Sequence, residues 1–389
     1  MLSLSAMSSY LPDAVPPAEI RRALVTKLRH YGDVLLATPV FTALKRAAPQ
    51  AAIDALVYLE TAPLLAGHPA IDLVHVVDRN RGRRGTRARL GAEWQLLRAL
   101  RERRYDLIVH LTEHPRGLVL AALLRPRWAV TRERATSDGA LRRGIWRAGF
   151  THFYRQPKAT PRHTVESNLD ALRRIGIYPD TADRGLVLRP AAAAYAKADA
   201  LLAGAGAAAE GFVHVHPGSR WRFKCWPAAS TAALLVRIAA RGLPMVLTGA
   251  PDDAERALAA DILARIPSTS RGAITDLTGQ LSLPELAAVA SRARLFVGVD
   301  SAPMHIAAAM GTPVVALFGP SGEAQWGPWQ VAHRVVASRA HPCRPCGIDG
   351  CGGGKVSDCL ASLDVDTVVE ACDALLADPA VGAAKRPRP

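Results

Sequence analysis

The chain has 389 residues and a formal net charge of +15 at pH 7, and it is long enough for two domains with buried cores. No apolar run reaches the roughly 18 residues that a membrane-spanning helix needs, and the first 19 residues lack the basic and apolar segments of a signal peptide. These features predict a soluble cytoplasmic protein in which residues 1–20 form a flexible leader.

Positive charge is concentrated in the first half of the chain. Residues 1–190 hold 31 Lys and Arg against 17 Asp and Glu, whereas residues 191–389 hold 18 against 17. A basic face of this kind suits an acidic partner, and nucleic acid, anionic lipid and a phosphorylated glycan are the alternatives. A solvated arginine face in an Arg-rich proteome accounts for part of the excess. The arginine runs are Arg79, Arg81, Arg83, Arg84, Arg87 and Arg89, then Arg98, Arg101, Arg103 and Arg104, and a looser set over 125–147.

Apolar strands alternate with amphipathic helices along the first half, which predicts a parallel, doubly wound sheet. We expect strands at 23–28, 53–58, 73–77 and 106–111, and helices at 33–47, 93–103 and 163–175. The pattern then restarts. We expect strands at 212–216, 244–248, 295–299 and 314–318, and helices at 192–202, 231–240, 252–266, 283–291, 301–310 and 365–376.

Two successive α/β sets predict two Rossmann-like domains that face each other across a cleft. We place the basic domain at 21–190 and the second domain at 191–362. The last helix has no strand after it, so we expect residues 363–389 to form a helix that packs back on the first domain, followed by a tail.

The junction after the strand at 295–299 is the most informative segment. The strand ends at Asp300 and a helix begins at Ser301, and such junctions lie at the edge of a parallel sheet where α/β proteins bind ligands. The free amides of a helix start suit a phosphate or diphosphate. The alternative is that Asp300 or Ser301 only caps the helix. From these residues alone both interpretations stay open.

Three segments together resemble the ADP-heptose:lipopolysaccharide heptosyltransferase family, and the resemblance covers residues 20–380. The segments read KLRHYGDVLLATP at 27–39, HPGSR at 216–220 followed by Lys224 and Trp226-Pro227, and GVDSAPMH at 298–305. The Arg-His-Tyr-Gly-Asp form at 29–33, the stretch at 319–329 and a Cys-rich segment at 343–359 are most similar to the third class, which adds a branch heptose to the inner core.

The resemblance implies a GT-B fold and an inverting glycosyltransferase that needs no catalytic metal or other cofactor. Its donor would be ADP-heptose, from which L-glycero-D-manno-heptose passes to an inner-core heptose of lipopolysaccharide in a Gram-negative bacterium. The expected partners are the phosphorylated inner core and, peripherally, the cytoplasmic face of the inner membrane, with no nucleic acid.

Two other interpretations remain. A GT-B enzyme could use another nucleotide sugar, such as a UDP- or GDP-sugar, or another core acceptor. A nucleic-acid-binding or metal-binding protein could use the arginine runs and the cysteines. The arginine runs contain few aromatic residues on which bases could stack, which disfavours the nucleic-acid interpretation.

The resemblance assigns Asp33 as the catalytic base that takes the proton of the acceptor hydroxyl. From the residues alone, Asp33 is a helix N-cap candidate. Lys224 matches the residue that contacts phosphate, where a fixed cation would stabilise the charge of departing ADP. Gly218, Ser219 and Arg220 precede it in a loop that lets the backbone approach a ligand closely.

The expected donor-binding set continues at the helix junction. Its members are Asp300, Ser301, Ala302, Pro303, Met304 and His305. We assign Asp300 to heptose hydroxyls and the amides to the diphosphate, while His305 is either a phosphate contact or a core histidine. Asp253, after another strand, would bind the ribose hydroxyls, although acids are common at helix starts.

Polar side chains of the basic domain are candidates for the acceptor pocket, and surface or capping roles are the alternative. They are His110, Glu113 and His163.

Four cysteines lie close together in the sequence, which suggests a structural zinc site in a reducing compartment. They are Cys343, Cys346, Cys351 and Cys359. The alternative is a turn-rich loop with free thiols. Cys225 and Cys372 are expected to be isolated packing residues.

Overall fold

The computed structural model describes residues 11–79, 86–156, 161–204 and 211–379. Its contacts divide the chain into two units, Met1–Val187 and Leu188–Pro389, close to the expected boundary at residue 190. Residues 1–10 of the expected leader, Arg81, Arg83 and Arg84 of the first arginine run, and the tail from residue 380 onwards lie outside the described residues.

The first unit contains a parallel sheet of six described strands. They are β1 (Arg22–Thr26), β2 (Ala52–Tyr58), β3 (Leu73–Val77), β4 (Leu107–His110), β5 (Trp128–Arg132) and β6 (His152–Tyr154). The spatial order is β3-β2-β1-β4-β5-β6, so the first strand lies at the centre. Val25 pairs with Ala55 on one side and with Val109 on the other, and all three are buried. This is why the central strands appear in the sequence as nearly continuous apolar runs.

Helices connect these strands. They are α1 (Tyr31–Leu35), α2 (Thr38–Ala47), α3 (Thr86–Glu102), α4 (Pro115–Leu124), α5 (Ala140–Gly149) and α6 (Thr164–Arg173). The single helix expected at 33–47 is therefore two helices. Pro39 has no N–H for the carbonyl of Leu35, and the Thr38 hydroxyl donates to that carbonyl instead at 2.7 Å. The break leaves Asp33 on a short helix directly after β1.

The second part of the expected leader is not flexible. Val15 and Ile20 are buried, and the Val15 amide donates to the carbonyl of Ile175 at 3.0 Å. The Arg174 guanidinium pairs with Asp13 at 2.5 Å. Residues 11–20 are thus packed on the first unit, which corrects the prediction for this segment.

The second unit also contains a parallel sheet of six described strands. They are β7 (Val213–His216), β8 (Met245–Leu247), β9 (Ile274–Asp276), β10 (Leu295–Val299), β11 (Val314–Phe318) and β12 (His333–Ala337). Their order is β12-β11-β10-β7-β8-β9. The centre of the sheet pairs β10 with β7, with Gly298 opposite His216. The loops that follow β7 and β10 therefore leave the same edge of the sheet side by side.

The helices of this unit cover both faces of its sheet. They are α7 (Ala192–Gly204), α8 (Ala228–Ala239), α9 (Asp253–Ala264), α10 (Ser268–Arg271), α11 (Leu283–Arg292), α12 (Ala302–Ala309), α13 (Glu323–Trp326), α14 (Asp358–Ala361) and α15 (Val365–Leu376). Short 3-10 turns lie in both units, at Pro17–Glu19, Leu59–Leu64, Thr136–Asp138 and Thr181–Arg184 in the first and at Arg222–Lys224 and Cys351–Gly353 in the second.

The final helix packs within the second unit. Val368, Val369, Cys372 and Leu375 of α15 belong to the same buried cluster as Leu235 of α8. One apolar face of α15 is therefore used within the second unit, and the expected packing of residues 363–389 on the first domain stays a prediction. No helix among the described residues is long and apolar enough to cross a membrane.

Candidate functional site

An ion pair joins the two central loops of the second unit. Lys224 lies in the 3-10 turn after β7, and Asp300 directly follows β10. The Lys224 ammonium donates to Oδ2 of Asp300 at 2.6 Å, and the Ser321 hydroxyl donates to the same oxygen at 2.5 Å. The Asp300 side chain is only 6% exposed, whereas the Lys224 side chain is 22% exposed. The lysine therefore retains a route to a ligand that the aspartate largely lacks.

The start of α12 is not capped by a side chain. Ser301 occupies the N-cap position, but its hydroxyl makes no capping bond and is buried without a hydrogen-bond partner. Asp300 is engaged by Lys224 and Ser321. The capping interpretation of this junction is therefore wrong, and a buried hydroxyl remains unsatisfied beside the helix start, where native structures rarely leave one.

The predicted diphosphate site offers fewer free backbone amides than expected. Pro303 has no N–H, and the Met304 amide donates to the carbonyl of Ser301 at 3.2 Å. The amides of Ser301 and Ala302 are the ones that remain for an anion. The Met304 side chain is fully buried in the cluster that contains Phe296, and the His305 side chain is also buried. Both side chains therefore belong to the core side of the helix.

The loop after β7 lies against a buried carboxylate that the sequence analysis missed. A Cβ on Gly218 would lie 2.4 Å from Oε2 of Glu255, so a larger residue there would displace the carboxylate or the loop. The same oxygen accepts the Ala250 amide at 2.6 Å and lies 3.4 Å from Nε2 of His216. Burial raises the pKa of Glu255, but the His216 contact and the Ala250 amide outweigh it and hold the pKa below its usual value.

Glu255 and Asp253 lie in the same first turn of α9 but differ in environment. Asp253, the residue expected to bind ribose, is exposed, whereas Glu255 is buried beneath the loop. In the sequence, Glu255 lies three residues after Asp252, which is the spacing of an N-cap residue and its partner at a helix start. The Asp252 carboxylate accepts the Glu255 amide at 3.0 Å and caps the helix.

A chain of buried polar contacts supports this loop from below. Nε2 of His214 lies 2.8 Å from the Thr248 hydroxyl, and Nδ1 of His216 lies 2.9 Å from it. Burial lowers the pKa of His214 to about 3, so this ring is neutral at pH 7. The chain ties β7 to β8 and, through Glu255, to α9.

The other two loop residues lie nearer the surface. Arg220 is exposed, with its guanidinium 5.3 Å from the centre of the Trp221 ring. The Ser219 hydroxyl accepts the Trp221 amide at 3.3 Å, which closes a local turn. The structure therefore brings Gly218, Ser219 and Lys224 to the same loop as expected.

In the first unit, Asp33 lies at the third position of α1 and is half-buried. The N-cap position belongs to His30, so the capping interpretation of Asp33 is wrong. Among the described residues, no hydrogen bond or ion pair holds the Asp33 carboxylate. This carboxylate is therefore available to a substrate.

Buried Lys27 lies near Asp33 and was also missed as a site residue. Its ammonium donates to the carbonyl of Leu111 at 3.2 Å and to Oδ1 of Asn168 at 3.0 Å. The amide of Asn168 in turn donates to the carbonyl of Leu36 at 3.0 Å. Burial lowers the pKa of Lys27 to about 8, and the negative charge of Asp33 opposes that shift. Lys27 thus places a buried positive charge in the electrostatic environment of Asp33.

The predicted acceptor residues have structural roles. His110 is fully buried, bonds to the Thr26 hydroxyl, and has a pKa lowered to about 3 by burial, so the prediction that it contacts an acceptor is corrected. Nδ1 of His163 accepts the Val165 amide at 3.2 Å and caps α6. Glu113 is half-buried and pairs with Arg132 at 3.2 Å. Glu113 and His163 are both half-buried, and their assignment to an acceptor pocket stays a prediction.

The second arginine run is not a uniform solvated face. Arg103 donates two hydrogen bonds to the fully buried Asp54, at 2.7 and 2.9 Å, and Tyr105 donates a third at 2.6 Å. Arg101 and Arg104 are exposed. Part of the positive charge of this run therefore serves the core of the unit.

The described structure does not confirm the expected zinc site in the cysteine segment. All six cysteines are free thiols, and in the described ranges no group of three or more Cys, His, Asp or Glu is arranged to hold a metal ion. Three of the four clustered thiols are exposed and Cys359 is buried. Four cysteine thiols are a donor set that structural zinc accepts, so a zinc ion at these residues stays a prediction. Cys372 is a packing residue of α15, as expected.

Comparison with known proteins gives consistent results. The model of glycosyltransferase family 9, the heptosyltransferases, matches residues 93–356. Lipopolysaccharide heptosyltransferase 3 of Escherichia coli is 34% identical over 306 residues, which span 78% of this chain and 84% of that protein.

Solved structures share the architecture. A family 9 glycosyltransferase from Veillonella parvula has a TM-score of 0.77 at 24% identity, covering 94% of this chain and 99% of that one. The ADP-heptose LPS heptosyltransferase II of E. coli has a TM-score of 0.71 at 21% identity, covering 91% and 98%. These likenesses confirm the expected α/β, GT-B fold.

Proposed function

Since the chain belongs to glycosyltransferase family 9, the heptosyltransferases, we propose that it transfers L-glycero-D-manno-heptose from ADP-heptose to an inner-core heptose of lipopolysaccharide. The observation that carries this proposal is the meeting of Lys224, Asp300 and the uncapped start of α12 at one edge of the second sheet. A cation, free amides and an unsatisfied hydroxyl are the groups that a sugar diphosphate needs.

In the donor half of the proposed site, the Lys224 ammonium and the amides of Ser301 and Ala302 bind the diphosphate. As the bond between the anomeric carbon and the phosphate oxygen breaks, the electron pair stays on ADP, and these groups stabilise the added charge. Asp300 binds hydroxyls of the heptose through the oxygen that Lys224 does not use. Asp253, exposed at the start of α9, binds the ribose.

In the first unit, Asp33 acts as the general base. Its carboxylate takes the proton of the attacking hydroxyl while that oxygen forms the new bond to the anomeric carbon, which inverts the configuration. The lack of a hydrogen bond or ion pair to the described residues supports this role, because the carboxylate is free to accept one from the substrate. The proposed reaction uses ADP-heptose and no further cofactor.

The acceptor that we propose is the phosphorylated inner core, reached at the cytoplasmic face of the inner membrane. The excess of basic residues in the first half of the chain supports an anionic acceptor. A competing function as a nucleic-acid-binding protein gains no support. Arg103 of the second arginine run donates to Asp54 and is therefore not available to a nucleic acid.

The test is a transfer assay with a delipidated inner-core acceptor and ADP-, UDP- or GDP-sugars as donors. ADP-heptose alone is expected to support transfer, and turnover with a UDP-sugar instead would overturn the donor assignment. Asp33→Asn is expected to lower kcat by about a hundredfold to ten-thousandfold, the usual contribution of a general base, with unchanged ADP affinity.

The matched control for the base is Glu102→Gln. Glu102 is an exposed carboxylate of the same unit that forms a surface ion pair with Arg98 at 2.9 Å. We expect its kcat to equal that of the wild type, since surface pairs contribute little. An Asp33→Asn variant that matches this control would exclude Asp33 as the base.

A further inference from the structure

Helices α4 and α5 pack on the same face of the first sheet. A Cβ on Gly117 of α4 would lie 2.0 Å from the His110 ring, so this helix rests directly on β4. Trp146 of α5 and Phe150, which directly follows this helix, lie 6.0 and 5.8 Å from the same ring, measured between ring centres. Because both helices lie against His110, their opposite sides point to solvent on the same face of the unit.

The two helices also pack tightly on each other. A Cβ on Gly149 of α5 would lie 2.1 Å from a methyl carbon of Leu118, and Ala121 joins Trp146 and Phe150 in one buried cluster. The inner surface of each helix is thus fully used within the unit.

The solvent sides of these helices are apolar rather than polar. Val119 and Leu123 of α4 are 53% and 43% exposed, and Leu141 and Ile145 of α5 are 77% and 51% exposed. Each pair is spaced four residues apart, so its members lie on one helix face. Single exposed aliphatic residues need no explanation, but two such pairs on adjoining helices form a patch. We call these four residues the α4–α5 outer face.

The segment that carries this patch is rich in arginine. Residues 115–149 contain eight arginines and two acidic residues, and neither acid lies within α4 or α5. Five of these arginines pair with carboxylates. Arg125 and Arg142 are exposed and form no ion pair within the described part of the chain. Long arginine side chains beside exposed aliphatic residues are the arrangement by which amphipathic helices bind an anionic lipid interface.

We propose that the α4–α5 outer face docks the protein on an anionic lipid bilayer. The aliphatic side chains enter the interface between headgroups and acyl chains, and the arginines bind lipid phosphates. This inference rests on the proposed function in one respect: a lipid-linked acceptor gives the docking its purpose. The charge complementarity favours a bilayer over a second copy of the chain, since two arginine-rich faces would repel each other.

The experiment is co-sedimentation of the full chain with vesicles of phosphatidylcholine, with or without phosphatidylglycerol. We expect binding to the anionic vesicles only, weakening as salt rises. Leu141→Ser combined with Ile145→Ser is expected to lower the partition coefficient about tenfold, because both side chains lose their insertion into the interface. The control is Ile348→Ser combined with Val356→Ser, two residues of the second unit that are each 57% exposed.

Three outcomes would overturn the inference. These are equal binding to neutral and anionic vesicles, undiminished binding of the double variant, and a wild-type dimer that the double variant abolishes, which would identify a second copy as the occupant. Heptose transfer to the delipidated acceptor is measured in parallel and should not change in the double variant. Vesicle binding without transfer would refute the proposed function alone, and transfer without vesicle binding would refute the docking surface alone.

Discussion

Replacing Lys224 by Met separates the structural role of this lysine from its proposed role in donor binding. The variant removes the ammonium that lies 2.6 Å from Oδ2 of Asp300 and keeps most of the apolar stem. Asp300 is then a nearly buried carboxylate with the Ser321 hydroxyl as its one remaining side-chain partner in the described structure. We expect both a less stable second unit and weaker ADP binding.

The magnitude of the stability loss follows from the burial of the two partners. Removing one partner of a fully buried ion pair costs about 3–5 kcal/mol. The Lys224 side chain is 22% exposed, and Asp300 keeps its bond to Ser321, so we discount this cost to about 2 kcal/mol. For a unit of this size, that lowers Tm by about 4–8 °C. Loss of a charge-assisted hydrogen bond to phosphate weakens ADP binding about tenfold to a hundredfold.

The double variant Lys224→Met with Asp300→Asn distinguishes the two effects. With no unpaired charge left, we expect most of the lost Tm to return, while ADP affinity stays low. Thermal unfolding and ADP titration calorimetry measure the two quantities independently. If the single variant bound ADP like the wild type, or if ADP affinity recovered together with Tm in the double variant, Lys224 would be a structural residue and the donor assignment would be wrong.

Two further predictions follow from the geometry. Gly218→Ala places a Cβ 2.4 Å from the Glu255 carboxylate and is expected to weaken ADP binding about tenfold by displacing the loop, whereas Gly272→Ala, with no atom within 4 Å of its Cβ, should bind normally. Equal ADP affinity in the two variants would show that the loop does not contact the donor. Lys27 holds its proton to about pH 8 when folded but to about pH 10.5 when unfolded, so the unfolded state binds more protons between these values and the free energy of unfolding rises with pH there. Urea unfolding of Lys27→Met should lack this rise, and an unchanged pH dependence would contradict the burial argument.

Strands and helices could be predicted from the sequence where their apolar residues follow one clear pattern, either a continuous run or a helical repeat. The strands at 73–77 and 314–318 and the helix at 365–376 are confirmed to the residue. The strands β5, β6, β9 and β12 were missed. Strands β6 and β9 are only three residues long, and β9 and β12 are half-exposed and include charged residues such as Asp276 and Arg334. Such short or half-exposed segments show no clear apolar pattern in the sequence.

Helices α4 and α5 were also missed, and for α4 the reason is different. A surface helix is recognised by a polar face opposite an apolar one, and α4 has apolar residues on both its inner and its outer face. Because Val119 and Leu123 are apolar, the sequence shows no helical alternation of apolar and polar residues that would identify Gly117 and Leu120 as the inner face. The exposed aliphatic residues that concealed α4 are therefore among those that suggest a docking surface.

The candidate site was predictable as a set of residues but not as a set of contacts. Lys224 and Asp300 are 76 positions apart, and their pairing depends on β7 and β10 being neighbours in the sheet. Nothing local in the sequence encodes that neighbourhood. Glu255 was missed for the same reason: its burial arises because the loop carrying Gly218 passes over the first turn of α9.

The Lys224–Asp300 pair also answers a difficulty that the sequence raised, namely why a carboxylate should lie where a diphosphate binds. An isolated buried Asp300 would repel the diphosphate and would itself be costly. Paired with Lys224 and bonded to Ser321, it carries no net local charge, so the repulsion is offset before the donor arrives. Since Lys224 is the more exposed partner, its ammonium can turn toward an incoming phosphate while Ser321 still holds Asp300 in place. In the proposed reaction, the aspartate then accepts hydrogen bonds from the sugar hydroxyls while Ser321 holds it in place.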